Sequence, residues 1–261
     1  MESDAEKYKQ FWMSFGRQLK YGVVADFGAK KDLLRELLLF HTSYENGLTD
    51  LKGYVERMPE GQEKVYYAAA ETVSKAEKLP QAEPVRERGW EMIWLCEEVD
   101  EFVLQVLQNA EGKPFCNVST EDLGLASDAE KAETKEKEEK LRPAIECIKD
   151  ALGEAVYEVR LSDKLRTMPV CLSTEGEITL EMERYFARYP ESAAAPLKAK
   201  RVLELNAEHP AVQNLFAKTA TDPGKAEAMA KLLLAQAELM AGLPLNDPQE
   251  HTRLVCELMA E

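Results

Sequence analysis

The chain has 261 residues, 33 Lys plus Arg against 48 Asp plus Glu, and 45% hydrophobic residues, which is material for one large domain or two ordinary ones. A formal net charge of -15 repels phosphate backbones and anionic headgroups, so nucleic acid and membrane surfaces are not expected partners. No apolar run approaches the roughly 20 residues that cross a bilayer, and the charged residues from Glu2 to Lys7 lead into a helix and not a signal peptide, so the expected location is cytoplasmic.

Tyr8, Phe11, Trp12, Phe15 and Leu19 recur at three-and-four spacing and predict an amphipathic first helix that Gly22 can end. A second helix is expected from about Lys30, with Leu33, Leu34, Leu37 and Leu38 inward, stopping near His41 before a turn at Asn46-Gly47. Leu48 to Met58 reads as a third helix, with Thr49 or Asp50 as its cap. Lys64 to Ala69, Glu91 to Leu95 and Pro114 to Val118 are rich in strand formers. Helical material from about Glu71 to Arg88 separates the first two, which is the spacing of a β-α-β unit with parallel strands. A further helix from about Val99 presents Val99, Phe102, Val103, Val106 and Leu107 on one side.

The stretch from Ser127 to Lys140 has no large apolar residue and charges of both signs, and reads as a solvated helix or a linker. It runs into an amphipathic helix with Leu141, Ile145, Ile148 and Leu152 inward. Tyr157 to Leu161, Met168 to Ser173 and Arg201 to Leu205 are strand candidates. Between the last two, Ile178, Met182, Tyr185 and Phe186 share one face of a short helix, followed by an Ala-rich loop from Pro190 that is expected to be mobile. Asp222-Pro223 and Asp247-Pro248 each supply a cap and a first-turn proline for the last two helices. Their inner faces are Met229, Leu232, Leu233, Gln236, Leu239 and Met240, then Leu254, Val255, Leu258 and Met259. The predicted class is α+β and mostly helical: a helical segment over 1–58, a small α/β/α module over 59–122, and an α+β half over 123–261 that opens on the charged boundary helix and ends in two bundle helices.

Covalent chemistry has no visible constellation. There is no Gly-rich phosphate loop, no Gly-x-Ser-x-Gly elbow and no His-Glu-x-x-His pair. Cys96, Cys116, Cys147, Cys171 and Cys256 are scattered and odd in number, and His41, His209 and His251 lack ligand spacing, so neither a disulfide framework nor a metal site is expected. Four large apolar residues at helical spacing, as at 178–186, ordinarily mark a core face. The two capped helices at the end of the chain, joined by the short loop from Leu243 to Asn246, have little left to pack on but each other and a partner.

Several motifs run together in a recognisable order. Phe11-Trp12-Met13-Ser14-Phe15-Gly16, with Leu19-Lys20 and Gly22, is followed by Tyr54-Val55-Glu56-Arg57-Met58, by Gly61-Gln62 with Val65-Tyr66-Tyr67, and by Gly89-Trp90-Glu91-Met92-Ile93. Val99-Asp100-Glu101-Phe102, Val159-Arg160-Leu161-Ser162, Met168-Pro169 and Leu205-Asn206-Ala207-Glu208-His209-Pro210 complete the series. Over essentially its whole length the chain resembles the 90-kilodalton heat-shock chaperone family in its bacterial form.

The resemblance implies a distal middle domain joined to a carboxy-terminal dimerisation domain, without the nucleotide-binding domain. On that reading the piece holds no cofactor and no ATPase activity, ATP and magnesium belonging to the full-length parent. It also implies a homodimer built on Met229, Leu232, Leu233, Gln236, Leu239, Met240, Leu254, Val255, Leu258 and Met259. Unfolded or partly folded client proteins would meet Ile178, Met182, Tyr185 and Phe186, with Phe102 and Gln105 as further contacts. Phe102 stands where the family usually has Trp. The acidic terminal peptide of eukaryotic relatives has no counterpart in Leu258-Met259-Ala260-Glu261, so cochaperones with tetratricopeptide repeats are not expected partners. A structural dimerisation module with every apolar helix face buried is the alternative.

Overall fold

The computed structural model describes residues 5–189 and 197–260, the side chains of residues 5, 6, 26 and 27 apart. The loop from Pro190 that was expected to be mobile lies outside the described residues. The chain divides into two units, one of Met1–Lys78 with Val85–Glu121, the other of Leu79–Pro84 with Asp122–Glu261.

In the first unit, α1 (Ala5–Val24) runs straight through Gly22. Its apolar stripe is wider than the face it buries: Trp12 is buried and Tyr8 and Leu19 are partly so, while Phe11 and Phe15 stay exposed and lie 5.3 Å apart, centroid to centroid. Gly16 explains part of the first motif. A Cβ there would stand 2.6 Å from the Trp12 ring, so only glycine lets the indole lie back along the helix. The expected second helix is cut short to α2 (Lys31–Leu34) and a 3₁₀ turn, Arg35–Leu37, because the chain then enters β1 (Phe40–Thr42). There Phe40 and Thr42 point inward and His41 outward, the period of a strand. Glu45 and Asn46 both take positive φ, 52° and 48°, which is the turn that returns a tight hairpin to β2 (Leu48–Thr49). Asp50 then caps α3 (Leu51–Arg57), its carboxylate accepting from Gly53 N at 2.6 Å.

β3 (Val65–Ala69) lies parallel to both β4 (Ile93–Leu95) and β6 (Lys113–Asn117), with Tyr67 opposite Ile93 and Tyr66 opposite Cys116. The expected β-α-β crossover is present, yet its helical part is broken into α4 (Val73–Ala76), a 3₁₀ turn and α5 (Glu83–Glu87). Pro80 and Pro84 cannot sit in a continuous helix interior. With α6 (Asp100–Leu107) and the edge strand β5 (Asn109–Ala110), the sheet order is β2-β1-β4-β3-β6-β5.

The second unit opens on α7 (Asp128–Leu152), so the charged stretch is helix, started by a capping box between Ser127 and Glu130. β7 (Glu158–Leu161), β8 (Val170–Glu175) and β9 (Lys200–Leu205) form a sheet in the order β7-β9-β8, the first pair parallel and the second antiparallel. α8 (Leu180–Arg188) precedes β9, and α9 (Pro210–Thr221), α10 (Pro223–Met240) and α11 (Pro248–Met259) follow it. α9 was not anticipated, although Pro210 at its first turn and Val212 and Leu215, both fully buried, carry the helix signal. Leu203 and Leu205 of β9 turn to a core shared with Ile148 of α7, Leu215 of α9 and Leu233 of α10.

Candidate functional site

α8 starts at Leu180 behind the cap Thr179, whose hydroxyl accepts from Met182 N at 3.1 Å. Ile178 therefore stands before the helix and not on it, half-buried. Of the residues expected to face outward, Met182 is 3% exposed, and Tyr185 and Phe186 are half-buried with rings edge to face at 5.6 Å. Charge anchors hold the helix in place. Arg184 donates from Nη2 to Ala241 O at the end of α10 (2.7 Å), while Arg201 of β9 pairs with Glu183 of α8 (3.1 Å) and Glu238 of α10 (3.2 Å). Burial raises the Glu238 carboxyl, against the pull of Arg201. These anchors are long-range pairs and leave no periodic trace in the sequence.

The ten residues expected on the last two helices separate into three groups by exposure. Met229, Leu232, Leu233 and Leu254 are buried within the described unit; Met240, Val255 and Leu258 are half-buried. Gln236 is exposed, Leu239 is 50% exposed and Met259 80%. Cys256 is exposed on the same side of α11 as Met259. In the other unit, Phe102 and Gln105 lie three apart on α6, half-buried and exposed respectively. They belong to a different unit from α8.

The motif residues of the first unit form a buried polar network. Tyr54 is fully buried; its hydroxyl donates to Glu91 O at 2.6 Å and accepts from Gln62 Nε2 at 3.0 Å and Tyr66 N at 3.3 Å. Arg57 grips both carboxylate oxygens of Glu91, at 2.9 and 2.8 Å, and its guanidinium lies over the Tyr44 ring. Hydrogen bonding to Glu91 raises the Arg57 pKa. Lys20 forms a second buried pair with Asp100 at 2.6 Å and lies over the rings of Trp12 and Phe40.

The family model described as Hsp90 protein matches residues 1–261. The chain belongs to the Hsp90 family. It is 42% identical over 259 residues to the chaperone protein HtpG of Bacillus subtilis (strain 168), a match covering 99% of this chain and 41% of the relative. The HtpG of Clostridium perfringens (strain ATCC 13124) matches at 42% over the same shares, and that of Clostridium botulinum (strain 657) at 39% identity. The chain thus spans about two fifths of the length of these curated relatives. In this Hsp90 chain, Tyr54, Arg57, Gln62 and Glu91 tie helix α3 to the start of β3 and to the segment that leads into β4. Among the described residues no group of His, Cys, Asp and Glu is placed to hold a metal.

Proposed function

We propose that this chain is the client-binding and homodimerising part of an ATP-dependent Hsp90 chaperone of the cytoplasm, corresponding to the distal middle domain and the carboxy-terminal dimerisation domain. ATP and magnesium would be bound by the full-length parent, and the piece itself hydrolyses no ATP. Its partners are a second copy and unfolded or partly folded proteins, with no role for nucleic acid, membrane or tetratricopeptide-repeat cochaperones. The observation that carries the reading is the outward apolar surface of the last two helices, where Leu239 is 50% and Met259 80% exposed. Removing such side chains from water contributes about 1.5 to 3 kcal/mol each, so two copies of a few of them suffice for a stable dimer.

Tyr185 and Phe186 form the client surface in this proposal, since flat, half-buried aromatic rings accept varied apolar segments. The burial of Met182, 3% exposed, favours the second reading, a structural dimerisation module. Replacing both Tyr185 and Phe186 by Asp separates the two. The client reading predicts about a tenfold or greater loss of affinity for a fluorescent unfolded protein, with the thermal midpoint kept within a few degrees. Unchanged affinity would leave the structural module.

A further inference from the structure

An open cleft of about 650 Å³ lies in the second unit, where the end of α7 meets the start of β9. Lys149, Lys198, Lys200 and Arg201 line it, with Tyr157, Glu154 and Glu183. Arg201 is already committed to Glu183 and Glu238. Lys149 donates to Gly153 O at 2.7 Å, and the Lys200 ammonium stands 4.9 Å from the centroid of the Tyr157 ring, which is 54% exposed. None of Lys149, Lys198 and Lys200 makes an ion pair among the described residues. With Arg201 and Glu183 neutralising each other, three ammonium groups face one carboxylate, Glu154, in a chain whose net charge is -15.

The chemistry of the wall selects among anions. Phosphate sites are built from convergent backbone N–H groups, commonly at a helix N-terminus. This wall has no helix N-terminus: it presents the C-terminal end of α7, whose negative end Lys149 offsets by donating to Gly153 O. Its cations are separate lysines from different elements, and its one guanidinium is occupied. Single negative charges spaced along a chain suit this arrangement, and the exposed Tyr157 ring offers a flat face between them. We propose that the cleft binds an extended peptide segment rich in Asp and Glu, and so biases the chain toward acidic stretches of polypeptide. This site is separate from Tyr185 and Phe186 and stands or falls apart from the binding of apolar segments there.

The test is fluorescence anisotropy on the whole 261-residue chain with a fluorescein-labelled peptide of alternating Glu and Ala, beside its Gln and Lys counterparts. The Glu peptide should bind saturably and about tenfold more tightly than either, and about 0.5 M salt should weaken it. A chain carrying K149Q, K198Q and K200Q should lose that preference. A K198Q and K200Q chain, altered only at exposed positions, should lose most of it with an unchanged thermal midpoint. Equal binding of the three peptides, indifference to both sets of substitutions, or displacement by inorganic tripolyphosphate at lower concentration than by unlabelled Glu peptide would overturn the proposal.

Discussion

Glu204 is the clearest case of a single residue shaping its surroundings. It sits in the central strand β9, 2% exposed, on the face opposite Leu203 and Leu205, and accepts from Arg160 Nη2, Ser162 Oγ and Ser173 Oγ, each at 2.8 Å. Burial pushes its pKa up, but Lys164, Arg160 and the hydrogen bonds outweigh that and hold it below the ordinary glutamate range. Because the folded value lies below the unfolded one, about 4.3, the stabilisation is complete above the unfolded value and is lost as pH falls through the folded value. Glu204→Gln removes the buried negative charge that Lys164 and Arg160 face. Urea unfolding at pH 7 should show a loss of about 3 kcal/mol, and the variant should lose less further stability between pH 5 and pH 3 than the parent. In the first unit, Tyr54→Phe removes one hydroxyl that serves three partners, and the same measurement should show about 2 kcal/mol lost. Tyr54 and Arg57 stood out in the sequence only as parts of a motif; that they converge on Glu91, 34 positions beyond Arg57, is set by tertiary geometry.

At the scale of elements, local grammar was readable wherever caps and periodicity agreed. Ser127 and Glu130 start α7, and Asp222 and Asp247 each accept from a backbone N–H of the helix they open, as their positions before proline suggested. Reading failed where local signals competed with pairing partners far along the chain. Leu33, Leu34, Leu37 and Leu38 have helical spacing, yet β1 follows at once because His41 and Thr42 pair with Trp94 and Ile93. No window of neighbouring residues contains that information. The helix carrying Met182 was placed almost correctly, but periodicity cannot say how deep a face lies, and Met182 proves buried where exposure was expected. Helix α1 gives an element-scale test. Gly16→Ala gains about 1 kcal/mol of helix propensity but sets a methyl 2.6 Å from the Trp12 ring. Displacing that indole costs about 1 to 3 kcal/mol, so differential scanning calorimetry should find a thermal midpoint no higher than the parent's and lower by up to several degrees.

For the molecule as a whole, an α+β, mostly helical architecture is legible in the alternation of strand and helix periods, and the ordered motifs carry the likeness to the Hsp90 family. Association is the property that neither periodicity nor a single chain displays directly. It enters through what the fold leaves uncovered: of the ten residues expected in a dimer seam, four are spent on the chain's own interior and the outermost, Leu239 and Met259, remain in water. The proposed dimer therefore rests on those two side chains meeting a second copy. Sedimentation equilibrium at micromolar concentration tests it most directly. The parent chain should weigh twice its 29.4 kDa monomer, and a chain carrying L239D and M259D, both at exposed positions, should weigh one monomer with its fold intact. A monomeric parent, or a doubly substituted chain that stays dimeric, would contradict it.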